Sequence, residues 1–145
     1  MKIATAAEMH VLGKRIGSQC QAGDLILLNG PLGAGKTVLV QGIGEALGIS
    51  DVTSPTFVIS RIHKAALPLI HVDAYRLLEG GNAALYLDDL DLDSPREGAV
   101  TVIEWGGQES ARLSEERLEI VIDRTDEVRE VTITPIGARW QGFSA

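Results

Sequence analysis

Apolar residues recur along this chain with two different periods, and each change of period marks a boundary. Met9, Leu12 and Ile16 return at helical spacing. Thr5 stands just before them with Glu8 three positions on, the pattern in which two side chains cap a helix start, so a helix is expected over 6–20. "LILLN" (25–29) is a short unbroken apolar run, which reads as a strand covered on both faces. A second helix is expected over 36–47, stopped by Gly48. Pro55 disfavours helix at Ser54, so 51–57 reads as a loop. "FVISRIH" (57–63) and "LPLIHVDAY" (67–75) read as two strands of a hairpin, with only "KAA" between them. A helix over 82–90 follows the Gly80-Gly81 break, then a strand over 99–105 and a short helix in "GGQESARL" (106–113). "RLEIVID" (117–123) and "REVTITPI" (129–136) close the pattern as an antiparallel pair joined through "RTDE". A strand–loop–helix start implies a parallel α/β core, and the two hairpins add antiparallel strands. The expected fold is one α/β domain over 1–145, a mixed parallel and antiparallel central sheet flanked by helices.

Composition narrows the picture. The 145 residues suit a single core, and with two each of Trp, Tyr and Phe, aliphatic side chains must fill it. A net charge of −7 disfavours independent binding to a nucleic-acid backbone, which needs clustered Lys and Arg. Cys20 is the one cysteine, so no internal disulfide or cysteine metal framework exists, and it reads as a small buried apolar side chain. No apolar run approaches the ~18 residues of a membrane span, and the N-terminus lacks a secretory apolar region; the expectation is a cytoplasmic protein that engages no membrane.

Between the first strand and the second helix lies "GPLGAGKT", in which Gly30, Gly35, Lys36 and Thr37 fit G-x-x-x-x-G-K-[ST] at every fixed position. Glycines allow positive φ and close backbone approach, so successive N–H groups can face phosphate oxygens and lead into a helix N-terminus. Lys36 supplies a mobile positive charge for the β- and γ-phosphates, and Thr37 a hydroxyl for Mg²⁺. A nucleoside triphosphate also needs carboxylates for its metal and a group to position the attacking water. Asp73 and Glu104 each end an apolar strand, the place where ligands of open α/β sheets bind. Three other features carry less. The acids of 89–97 fail the calcium-loop pattern, with Ser94 where glycine is required and Val100 where glutamate is required. His10, His63 and His71 have no metal-ligand spacing; His71 shares a sheet face with Asp73 and reads as structural. Arg76 reads equally as a phosphate contact, a partner contact or a surface ion pair.

The phosphate loop, "SPTF" (54–57), "HVDAYRL" (71–77) and "VIEWGG" (102–107), in that order, resemble the bacterial TsaE (YjeE) family. Its members are small P-loop ATPases required for making threonylcarbamoyladenosine in tRNA. The loop is generic; the combination of the other three segments carries the likeness, which runs from about residue 5 to about residue 135. The resemblance implies ATP and Mg²⁺ as ligands, with Gly33, Ala34, Gly35, Lys36, Thr37 and Val38 on the phosphates. It implies Thr37, Asp73 and Glu104 as metal-holding residues and Glu104 in hydrolysis, with Trp105 beside it. Ser54, Pro55 and Thr56 match a switch-like loop beside the γ-phosphate, and Thr5 and Val128 align with segments flanking the base. Thr53 stands where many members carry a basic residue. Implied partners are TsaD-like and TsaB-like proteins, with tRNA reached only through that assembly. A small-molecule kinase and a nucleotide-gated binding module are the competing functions. The dispersed arginines offer neither a lid nor an internal arginine finger.

Overall fold

The computed structural model describes residues 1–30, 35–49, 60–63, 67–73, 98–104, 116–124 and 128–143. In chain order the elements are β1 (Lys2–Ile3), α1 (Ala6–Gly17), β2 (Leu25–Asn29), α2 (Lys36–Ala46), β3 (Ser60–His63), β4 (Leu69–Asp73), β5 (Val100–Glu104), β6 (Arg117–Asp123) and β7 (Arg129–Ile136), followed by a short 3₁₀ turn at Ala138–Trp140. The expected helices over 82–90 and 106–113 lie outside the described residues.

Among the described residues, seven strands form one mixed sheet in the order β1-β7-β6-β2-β5-β4-β3. The four inner strands β6, β2, β5 and β4 are parallel, and antiparallel strands β7 with β1, and β3, close the two sides. Strand β2 occupies the switch point: the chain departs to one side for β4 and β5 and to the other for β6. Ligands of open α/β sheets bind beyond the carboxyl ends of the strands at such a point. The unbroken apolar run of β2 is explained by its position, since Leu25, Ile26, Leu27 and Leu28 are all buried.

Both helices pack on one face of the sheet. Met9, Leu12 and Ile16 of α1 and Leu39, Val40 and Ile43 of α2 share one aliphatic core with Ile26, Leu28, Val100, Val102, Leu118 and Ile120. Among the described residues, Trp140 is an aromatic side chain buried within the same core, with Phe143 packed against it. Among the described residues no helix is long and apolar enough to cross a membrane.

Helix ends obey local chemistry. At α1, the Thr5 hydroxyl accepts the Glu8 N–H at 3.1 Å, while the Glu8 carboxylate takes the N–H of Ala4 at 2.9 Å, one residue earlier than the reciprocal pattern predicts. Helix α1 stops at Gly17, short of the expected residue 20. The chain tightens there, with Gln19 N–H donating to Ile16 O and Cys20 N–H to Gly17 O. Helix α2 ends as expected: Gly48 takes φ +86°, and Ile49 N–H reaches back to Gly44 O at 2.8 Å.

Candidate nucleotide and metal site

The two helices begin in opposite ways. Helix α1 satisfies its first amides with its own side chains, whereas α2 starts from Gly35 at φ +103° with no side-chain cap. An uncapped helix start in a left-handed glycine leaves backbone donors and the positive end of the dipole for an anion. A side chain at Gly35 is disfavoured by that φ, whereas the space above it is open enough that a Cβ would only touch Met9 Cε, at 3.4 Å.

Lys36, the first residue of α2, is buried at 7% exposure, and its Nζ donates to the Gly30 carbonyl oxygen at 2.6 Å. The ammonium thus bridges the end of β2 and the start of α2 across the loop between them. Thr37 and Val38 occupy the next helical positions, both partly buried. Gly33, Ala34, Ser54, Pro55, Thr56, Arg76 and Trp105 lie outside the described residues, as does the acidic segment 89–97.

The acids arrive by strand register. Glu104 is in register with Leu28 on one side and with Asp73 on the other, so the two carboxylate-bearing residues end neighbouring parallel strands. Adjacent strands lie about 4.8 Å apart. Glu104 also shares parity with Val100 and Val102, which face the core built by α1 and α2. It is therefore on the same side of the sheet as the uncapped helix start. It is buried, at 4% exposure, and its Oε1 has no hydrogen-bond partner among the described residues. A buried polar oxygen with no protein partner fits a carboxylate that holds a metal ion.

Thr5 and Val128 also come to this end of the molecule. Ile3 is in register with Arg129, and Asp123, the last residue of β6, with Glu130, which brings the start of α1 and the start of β7 together at the carboxyl edge. Val128 is 39% exposed there. The sequence reading missed a neighbour of Glu104. His71, wholly buried on β4, places Nε2 3.4 Å from Glu104 Oε2. The signal was present in part, since alternation puts His71 on the site's face, but alternation does not say which residue of the next strand lies beside it.

A family profile described as "Threonylcarbamoyl adenosine biosynthesis protein TsaE" matches residues 3–131. The chain belongs to the TsaE family. Relatives bear the name tRNA threonylcarbamoyladenosine biosynthesis protein TsaE. That of Streptomyces coelicolor is 49% identical over 141 residues, covering 91% of this chain and 93% of the relative. That of Bacillus subtilis is 38% identical over 138 residues, covering 92% and 84%. Among solved structures, the crystal structure of Bacillus subtilis YdiB superposes with a TM-score of 0.79 at 33% identity, covering 97% of this chain and 87% of that one. Family and fold thus agree with the sequence reading, and the TsaE match spans β1 to the first half of β7, the elements that carry the candidate site.

Proposed function

We propose that this protein is an ATP-binding and ATP-hydrolysing component of tRNA threonylcarbamoyladenosine biosynthesis, acting with TsaD-like and TsaB-like partners. One observation carries the chemical part: the uncapped start of α2, with buried Lys36, shares a sheet edge with Glu104 and Asp73 on adjacent strand ends. Amides of residues 33–38 bind the triphosphate, and Lys36 exchanges the Gly30 carbonyl for phosphate oxygens. Thr37, Glu104 and Asp73 are the residues that would hold Mg²⁺. The chemistry such an ion would supply there is neutralisation of charge on the phosphates. Glu104 orients the attacking water, and the loop amides and Lys36 stabilise charge developing on the transferring group. Thr56 contacts the γ-phosphate, and Thr5 and Val128 flank the adenine. With its arginines dispersed along the sequence, the lone chain turns over slowly, and the rate rises with its partners.

Phosphate release from ATP with Mg²⁺, with and without the two partner proteins and tRNA, tests this reading. Stimulation by the full assembly is the expected result. Lys36→Ala abolishes triphosphate binding and all activity. Glu104→Ala retains ATP binding but lowers turnover by roughly a hundredfold or more, and tRNA modification falls with it. Modification that survives Glu104→Ala transfers the role to nucleotide-gated binding, and phosphate transfer to a metabolite transfers it to a kinase.

A further inference from the structure

His71 shows no exposed surface, and Glu104, two residues beyond its register partner Val102, is 4% exposed. A histidine buried for packing alone ordinarily makes its hydrogen bonds to backbone or to other side chains. Here neither Nδ1 nor Nε2 has a hydrogen-bond partner among the described residues, and Glu104 Oε1 lacks one as well. Among the described residues, Glu104 Oε2 lies beside the ring, 3.4 Å from Nε2. That separation exceeds the length of a formed N–H···O bond, so a small rotation of the ring or of the carboxyl completes it. Catalytic hydrogen bonds commonly tighten in this way when substrate binds.

We propose that His71 is a positioning residue: its Nε2–H engages Glu104 Oε2 and so fixes the direction in which Oε1 faces the nucleotide site. This deepens the reading of Glu104 given above and rests on it. Partners of this kind, one step removed from a metal-holding or water-holding carboxylate, orient it and set its basicity.

Three substitutions separate positioning from packing. His71→Gln places an amide N–H where Nε2 lies, His71→Asn places one nearer Nδ1, and His71→Leu removes both. In the presence of the partner proteins and tRNA, turnover falls roughly tenfold or more in the Asn and Leu variants, with KM for ATP changed less than about twofold. The Gln variant recovers to within about threefold of the parent. Equilibrium ATP affinity without magnesium is the same in all three, and the gain in affinity on adding magnesium shrinks only for Asn and Leu. Equal turnover in the Gln and Asn variants, or parental turnover in the Leu variant, overturns the proposal. If the Leu variant does not fold, the Gln and Asn pair alone decides. Parental turnover in Glu104→Ala would remove the reading of Glu104 itself, whereas an impaired Glu104→Ala with a fully active His71→Asn removes only the positioning role.

Discussion

Lys36 Nζ rests on the carbonyl of Gly30, the first residue of its own loop, at 2.6 Å. On the proposed reading this contact would give way to a phosphate oxygen, a stronger partner for an ammonium than a carbonyl. Cys20 is a residue of the other kind, with its Sγ donating to Ile16 O at 3.3 Å and its side chain packed against the core. Burial first, then the nearby Asp24 charge, pushes its thiol from an ordinary 9.0 up to about 12, with Arg139 pulling the other way. Between those pH values the unfolded thiol has lost its proton and the folded thiol has kept it. Stability from this group is therefore complete below pH 9.0 and declines as pH rises toward about 12. Urea unfolding of the parent and of Cys20→Ala across this window checks it: the parent should lose the more stability, and parallel curves would contradict the assignment. At this scale the sequence was informative wherever a residue's role depends on its own neighbours in the chain. Lys36 and Thr37 are fixed by the motif that contains them. The proximity of His71 to Glu104 depends on the register of β4 against β5, which no local pattern encodes.

Helices α1 and α2 run side by side in the same direction along a seam of glycines. A Cβ on Gly13 would collide with the Leu39 carbonyl oxygen, one on Gly42 with the His10 carbonyl oxygen, and one on Gly17 would lie 2.6 Å from Ile43 O. These obstacles are backbone, so they cannot swing aside. Glycine within a helix costs about 1 kcal/mol relative to alanine, yet replacement here is expected to destabilise. Gly13→Ala or Gly42→Ala should lose about 1–3 kcal/mol by overpacking, whereas Gly98→Ala, where a Cβ would meet nothing among the described residues, should be near neutral. Thermal melts of the three variants decide the matter, and a higher Tm for either seam variant would refute the close packing. Because Met9 also touches the space above Gly35, a displaced α1 should disturb the phosphate loop as well. Most elements were legible from periodicity, and α2 from its loop and stop signal. Strand β1 was not, because two residues carry no period; it exists through pairing with β7, where Val131 N–H donates to Met1 O at 2.8 Å.

Across the whole molecule, the proposed site and an ionic clasp sit at opposite ends of the sheet. The carboxyl end gathers Lys36, Glu104, Asp73, Thr5 and Val128. The other end is held by Arg139, whose Nε and Nη2 donate to the two Asp24 oxygens at 2.8 and 2.7 Å, while Nη2 also donates to Gln19 O at 2.7 Å. Its guanidinium lies 4.4 Å from the centre of the Trp140 ring. This clasp follows residue 131, where the TsaE match ends, and its sequence, "GARWQ", offers no periodic signal. Arg139→Ala should cost about 2 kcal/mol in urea unfolding by leaving buried Asp24 without its fork, and Arg139→Lys should recover only part of it. ATP affinity should be unchanged in both, and a loss of affinity would show that the two ends are coupled. The mixed α/β plan was legible from the order of elements, but the insertion of β5 between β2 and β4 was not, because strand order is settled by long-range pairing. That insertion bears on biosynthesis. Leu25 pairs with Thr101 and Ile26 with Leu118, so the strand that leads into the glycine loop gains its two neighbours only after residue 118 has been made. A translation product that stops before β5 therefore leaves β2 with no partner strand on either side, and should neither fold nor hold the proposed nucleotide.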